Sequence, residues 1–173
     1  MDKLFVYVDG GARGEPGDAS IGIAITDPQG DTVEEISELI GRSTTDVAEY
    51  RALVEGARRA VALRPPAAVF FTDNQRLANY VNGVFETREP HVRHLVERAI
   101  GLLNQLPQWR VNYVDRRALG RAPRLVEQAF HRSVQAQMGR ERMESTLLSR
   151  AATLSEEGLR KLIEAAERLQ ELE

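Results

Sequence analysis

The 173-residue sequence contains no cysteine, so disulfide bonds and thiolate metal sites are excluded. It also has no apolar run that approaches the roughly 20 residues needed for a membrane helix. The first residues lead directly into an apolar, strand-like stretch without a basic leader, which is unlike a signal peptide. A chain without cysteine is compatible with a reducing compartment. We therefore expect a cytoplasmic protein with no membrane partner.

Lysine is nearly absent too, because Lys3 and Lys161 are the only two and the arginines supply the rest of the strongly basic side chains. The formal net charge of −3 argues against a strongly basic nucleic-acid-binding protein. The sign is not decisive, since a carboxylate-rich metal site adds negative charge that bound ions neutralise. Arginines outnumber acids between Arg110 and Arg142, and the planar guanidinium suits phosphate contacts.

The hydrophobic pattern predicts three strands, a helix, a strand, two helices, a strand and a helix. Such an order is typical of an α/β fold with helices covering a five-stranded mixed sheet, in which three antiparallel strands precede two parallel ones. The first long helix begins near Thr44 and ends before Pro65. The predicted strands are 4–8, 20–26, 32–40, 67–72 and 109–114, and the later predicted helices are 75–80, 91–106 and 122–137.

The C-terminal residues differ from the rest of the chain, so we predict one domain over residues 1–137 and a helical extension over residues 138–173. Residues 153–156 resemble a helix capping box. An apolar stripe follows on one face of a charged helix. The stripe either packs on its own domain, forms a homodimer through residues 153–172, or binds another partner. Its members are Leu159, Leu162, Ile163, Ala166 and Leu169.

Three acids stand at matching places in this predicted fold. Asp9 follows the first strand, Glu49 lies on the first turns of the long helix, and Asp73 follows the next strand. Sites in α/β sheets gather at strand ends and adjoining helix termini. Carboxylates brought together repel one another unless cations hold them, and hard divalent ions prefer oxygen ligands. If the three acids converge, a divalent metal site is the natural explanation.

Short motifs surround each of these acids. Residues 6–17 read VYVDGGARGEPG and residues 47–53 read VAEYRAL. Residues 72–75 (TDNQ) are followed by VNG at 81–83. These segments resemble the first-strand signature, the helix motif and the motif of the third acid in the type 1 ribonuclease H family, compact bacterial and archaeal branch. The similarity covers roughly residues 3–135, and the ribonuclease H fold is the one it implies.

The resemblance implies a metal-dependent endonuclease that cleaves the RNA strand of RNA–DNA hybrids with two Mg²⁺ or Mn²⁺ ions. One ion would activate the attacking water and the other would stabilise the leaving oxygen. Asp9 would bridge both ions, and Glu49 and Asp73 would complete the shell of the second. We predict that the nucleic acid contacts Gly10, Gly11, Arg13, Asn74, Arg116, Arg117 and Arg121.

One position departs from the family pattern. The family carries a fourth carboxylate after an alanine near the start of the last helix, and on that register Pro123 takes its place here. Three alternatives follow. In the first, Glu127 or Asp115 substitutes for the missing acid. In the second, one ion is held firmly and the other only with substrate phosphate, which gives slow or Mn²⁺-dependent cleavage. In the third, the chain is a catalytically weakened or inactive module that binds nucleic acid or a protein. Asp46, where the family often has Asn, is either a helix cap or a residue unfavourable to phosphate.

Overall fold

The computed structural model describes residues 3–171. The first two residues of the predicted domain 1–137 and the last residues of the predicted segments 138–173 and 153–172 lie outside the described residues. The chain divides into two compact units, one reaching to His131 and the other beginning at Arg132. None of the helices within residues 3–171 is long and apolar enough to span a membrane.

A five-stranded sheet with the order β3-β2-β1-β4-β5 forms the centre of the first unit. β1 and β2, and β2 and β3, pair antiparallel, whereas β4 pairs parallel with both β1 and β5. The predicted mixed sheet is therefore confirmed. The strands are β1 (Leu4–Gly14), β2 (Gly17–Thr26), β3 (Thr32–Ser43), β4 (Ala68–Thr72) and β5 (Trp109–Tyr113).

The predicted end of the first strand at Asp9 was wrong. β1 continues to Gly14, because β2 pairs with it along its whole length, from Phe5 opposite Thr26 to Gly14 opposite Gly17. Residues 10 and 11, which as glycines favour a turn in isolation, are extended here by the ladder of hydrogen bonds to β2. Asp9 therefore lies inside a strand, opposite Gly22.

Five helices complete the fold: α1 (Thr45–Leu63), α2 (Gln75–Val81), α3 (Pro90–Leu103), α4 (Ala122–Ala151) and α5 (Glu156–Gln170). The Thr44 side chain caps α1 by accepting a hydrogen bond from the backbone N–H of Val47. The helix ends at Arg64, which adopts the left-handed conformation just before Pro65. The predicted end of α4 at Gln137 was wrong, because the next residues contain no proline and a single glycine and nothing interrupts the helix before Ala151.

α1 and the start of α4 cover opposite faces of the sheet. A side chain on Gly56 of α1 would touch Val8 at 3.0 Å, whereas one on Gly22 would meet the backbone carbonyl oxygen of Ala122 at 2.2 Å. Since Gly22 pairs with Asp9 and successive residues of a strand point to opposite faces, Val8 faces α1 and Asp9 faces α4. The largest fully buried side chains beneath the helices include Leu4, Val6, Ile23, Tyr50, Leu53, Phe70, Leu77 and Leu103.

The C-terminal unit contains the last turns of α4 and the whole of α5. α5 is capped by Ser155, whose hydroxyl accepts from the N–H of Gly158, rather than by Thr153 as the capping-box pattern suggested. No residue of α5 is buried in the part of the chain that is described. Leu159, Ile163 and Leu169 of the predicted stripe are exposed, and the homodimer through this helix stays a prediction.

Candidate active site

The sheet opens where β1 and β4 diverge. Their last parallel pair is Tyr7 with Phe71, after which β1 continues alongside β2 while the chain leaves β4 and enters α2. Asp9 and Asp73 each lie two residues beyond that last pair, so both reach the same opening. Glu49 reaches it from the first turns of α1. Ligand oxygens of these three acids, hereafter the carboxylate cluster, lie within 4.8 Å of one another.

Close packing of α1 on β1 brings Glu49 to this position. A side chain on Gly10 would place its Cβ only 2.4 Å from the carbonyl carbon of Ala48 and from the backbone nitrogen of Glu49. Only a residue without a side chain allows so close an approach of the two backbones. The glycine after Asp9 therefore sets the depth at which α1 presents its carboxylate.

Burial makes the carboxylate cluster an electrostatically unfavourable site for negative charge. The Asp9 side chain is 0% exposed, and desolvation raises its pKa despite the nearby guanidinium of Arg116. Desolvation, with smaller contributions from Asp73 and Asp9, raises the pKa of Glu49 to about 7, although a hydrogen bond from Asn74 opposes the shift. Asp9 and Glu49 thus resist ionisation, and together with Asp73 they form a set of three converging oxygen donors suited to a hard divalent cation.

A positive charge from the chain already lies against two of these acids. Arg116 donates from Nη1 to Asp9 Oδ1 at 3.3 Å and to Asp73 Oδ2 at 3.1 Å, and from Nη2 to Asp9 Oδ2 at 3.2 Å. It belongs to the 3₁₀ turn Arg116–Ala118, which follows β5. β5 is parallel to β4, so a residue just past its end reaches the same edge of the sheet as Asp73.

Asn74 connects the third acid of the cluster to α2. Its side-chain oxygen caps α2 by accepting from the N–H of Leu77, and its side-chain nitrogen donates to Glu49 Oε2 and, at 3.2 Å, to Asp46 Oδ1. Asp46 also pairs with Arg76 at 3.1 Å. Thr44 caps α1, so the interpretation of Asp46 as its cap was wrong, and its carboxylate instead holds side chains of the α2 region.

Neither suggested replacement for the fourth acid joins the carboxylate cluster among residues 3–171. Glu127 accepts a hydrogen bond from Arg13 at 2.8 Å, and that guanidinium lies 4.6 Å above the Phe130 ring. Asp115 is exposed and accepts from the backbone N–H of Arg117. Pro123 is the second residue of α4. The substitution of Glu127 or Asp115 for the missing acid stays a prediction.

Five of the seven predicted nucleic-acid contacts line two grooves that both include Glu49. A groove of about 420 Å³ is lined by Gly10, Gly11, Arg13 and Arg116 together with Glu49. A second groove, of about 470 Å³, is lined by Glu49, Asp73, Asn74 and Arg76. Arg117 is exposed on the same 3₁₀ turn as Arg116, whereas Arg121 pairs with Glu35 at 2.8 Å.

The sequence of this chain is similar to those of several known proteins. The family model described as reverse transcriptase-like matches residues 7–129. Ribonuclease HI of Halobacterium salinarum is 31% identical over 74% of this chain. The chain belongs to the type 1 ribonuclease H family. A bifunctional protein of Mycobacterium tuberculosis is also 31% identical, over 78% of the chain. The chain spans only 64% of the first relative's length and 37% of the second's.

The fold is shared with solved members of the family. LC11 ribonuclease H1, isolated from compost and solved in complex with an RNA/DNA hybrid, is 29% identical and superimposes with a TM-score of 0.70. The aligned region covers 76% of this chain and 99% of that one. It follows that the first unit contains essentially a whole ribonuclease H fold, whereas the C-terminal unit lies largely beyond the matched region.

Sequence reasoning named three acids that the structure brings together, but it missed what surrounds them. Arg116 was assigned to nucleic acid, and its contacts with Asp9 and Asp73 were not foreseen. The position of Arg116 directly after the strand parallel to β4 was a usable signal, because both strand ends reach one edge. The link from Asn74 to Glu49 left no comparable trace in the sequence.

Proposed function

We propose that this protein is a metal-dependent endonuclease that hydrolyses the RNA strand of RNA–DNA hybrids. The observation that carries the proposal is the convergence of three carboxylates of a ribonuclease H fold within 4.8 Å of one another. Family membership supports the class of reaction, and the relative solved with an RNA/DNA hybrid supports the class of substrate.

The carboxylate cluster would hold Mg²⁺ or Mn²⁺. Bound divalent ions at such a site activate water and offset the charge that develops on a phosphate. The chain contributes the buried ligand Asp9 and two partly buried ones. The hydrogen bond from Asn74 orients Glu49, and the close packing over Gly10 fixes the height of α1. These contacts preorganise the ligands before substrate arrives.

The two grooves on either side of Glu49 would accept the hybrid. Arg13 lines one groove and Arg76 the other, so phosphates on both sides of the cleavage point meet a guanidinium. Asn74 and the backbone of residues 10 and 11 lie at the edges of the grooves. A cytoplasmic location and a homodimer through α5 remain predictions beside this proposal.

A second candidate function is a weakened ribonuclease H-like module that binds nucleic acid or protein without efficient cleavage. It is favoured by Pro123 at the register of the family's fourth acid. The ion pair of Glu127 with Arg13 also favours it, because that carboxylate is then engaged outside the carboxylate cluster. Loss of one metal ligand typically lowers a rate by orders of magnitude, since ~1.4 kcal/mol of transition-state stabilisation corresponds to tenfold.

The experiment is cleavage of an end-labelled RNA–DNA hybrid, measured separately in Mg²⁺, in Mn²⁺ and with a chelator. Asp9→Asn is the decisive control because it keeps the size of the side chain and removes the buried charge. Arg58→Gln, an exposed arginine of α1 that pairs with Glu55, is the matched control for loss of a charge elsewhere.

We expect cleavage in at least one metal, no cleavage by Asp9→Asn, and an unchanged rate for Arg58→Gln. Binding of the hybrid without cleavage in either metal, by protein that is folded, would favour the second candidate function. Cleavage that survives both the chelator and Asp9→Asn would refute a metal-dependent mechanism at this site.

A further inference from the structure

The position of Arg116 bears on how many ions the carboxylate cluster can hold. Its guanidinium contacts both oxygens of Asp9 and one oxygen of Asp73, all at 3.1–3.3 Å. A single side chain thus bridges two of the three acids. A bridging cation between these acids is the role that the family resemblance assigns to a metal ion.

The backbone around Arg116 is well fixed. Val114 donates to the carbonyl of Thr72, which ties the end of β5 to the end of β4. Asp115 caps the 3₁₀ turn by accepting from the N–H of Arg117, and Leu119, just after the turn, is 0% exposed. The turn therefore fixes the backbone of Arg116 beside the carboxylate cluster, and its side chain, which is 59% exposed, spans the distance to the two acids.

Charge balance follows from these contacts. The three ionised carboxylates and the one guanidinium together carry two negative charges, which a single divalent cation neutralises. A second divalent ion would leave the site with excess positive charge unless Arg116 withdrew. The replacement of the family's fourth acid by Pro123 also disfavours a second ion, because it removes a negative charge that this ion would need.

We propose that Arg116 takes the place of one divalent ion, so that the carboxylate cluster holds a single ion both with and without nucleic acid. This inference rests on the proposed function, since it assumes that the cluster binds divalent metal. Arg116 acts here as a fixed counter-ion that positions Asp9 and Asp73. Its charge, rather than its size, is what the site requires.

The test counts bound Mn²⁺ from the electron paramagnetic resonance signal of the free aquated ion. Each protein is titrated alone and then with a hybrid. The RNA strand of this hybrid is 2′-O-methylated, and the hybrid is recovered intact after the titration. The variants are Arg116→Gln, which removes the charge, and Arg116→Lys, which retains it. Arg58→Gln is the matched control for metal binding, because it removes the same charge from an exposed arginine that pairs with Glu55 and belongs to no predicted binding site. Thermal melting of each protein verifies that it is folded.

We expect one Mn²⁺ per wild-type chain in both titrations, and the same for Arg116→Lys and Arg58→Gln. Arg116→Gln should bind two ions in the presence of the hybrid. Two ions on the wild-type chain with hybrid, or one ion on folded Arg116→Gln, would overturn the inference while leaving the proposed metal site intact. Absence of Mn²⁺ from the wild-type chain and from every variant would instead refute the metal site itself. If Arg116→Gln does not fold, the number of ions on the wild-type chain with hybrid still decides whether the cluster holds one ion or two.

Discussion

Replacing Gly10 with alanine should damage the site without replacing any member of the carboxylate cluster. The added Cβ would lie 2.4 Å from the carbonyl carbon of Ala48, 2.4 Å from the backbone nitrogen of Glu49 and 2.7 Å from the carbonyl oxygen of Ala48. Every one of these atoms belongs to backbone, so no side-chain rotation can relieve the contact.

The size of the effect follows from the distances. Carbon atoms in favourable contact lie about 3.5–4.0 Å apart, so the start of α1 must retreat from β1 by about 1 Å. Overpacking of this kind typically costs ~1–3 kcal/mol in the free energy of unfolding. Because Glu49 moves with the helix, a misplacement of about 1 Å at a reacting centre should lower the rate of hybrid cleavage by about 100-fold.

Gly101→Ala is a matched control for this substitution. Gly101 lies in α3, is exposed, and has no atom within 4 Å of the position where its Cβ would be. Alanine there should stabilise the protein by about 0.5–1 kcal/mol and leave Mn²⁺ affinity and cleavage unchanged. Urea denaturation, Mn²⁺ titration and hybrid cleavage of both variants make the comparison. Wild-type stability together with wild-type Mn²⁺ affinity in Gly10→Ala would refute the argument that this glycine sets the position of Glu49.

Three further predictions concern the pH dependence of stability, the fourth acid and the C-terminal helix. Folding raises the pKa of Glu49 from its ordinary value of 4.5 to about 7, so between these pH values the folded state binds more protons than the unfolded chain. The metal-free protein should therefore lose on the order of 3 kcal/mol of stability as the pH rises from about 4.5 to about 7. Urea denaturation across that range should show the loss, and Mn²⁺ should reduce it; stability that increases with pH would contradict the assignment. Pro123→Asp should raise the cleavage rate tenfold or more if the register with the family is right, whereas Gln128→Asp, which adds the same charge farther along α4, should not. Sedimentation equilibrium should give a dimer for the wild-type chain and a monomer for Ile163→Ser if α5 forms the predicted homodimer, and a monomeric wild-type chain would exclude that role.

The sequence alone determined the fold class and the three acids. Alternation of apolar residues marked the strands, Thr44 marked the start of α1, and Pro65 marked its end. These signals are local, because hydrogen-bond periodicity and capping depend on residues a few positions apart. The acids were found in the same way, since each lies within a short motif. Local signals failed where pairing with another strand determines the length of an element. β1 extends through its glycines to Gly14 because β2 pairs with it there.

Only the tertiary structure decided the electrostatic character of the site. Arg116 and Asp9 are 107 positions apart, and Asn74 and Glu49 are 25 apart, so no short motif contains either pair. The order of the strands brings them together: β5 and β1 flank β4, and the ends of these parallel strands reach one opening. The same packing that buries Asp9 raises its pKa and places a guanidinium against it. A sequence specifies which charges are present, but burial and strand order determine which of them meet and how strongly they interact.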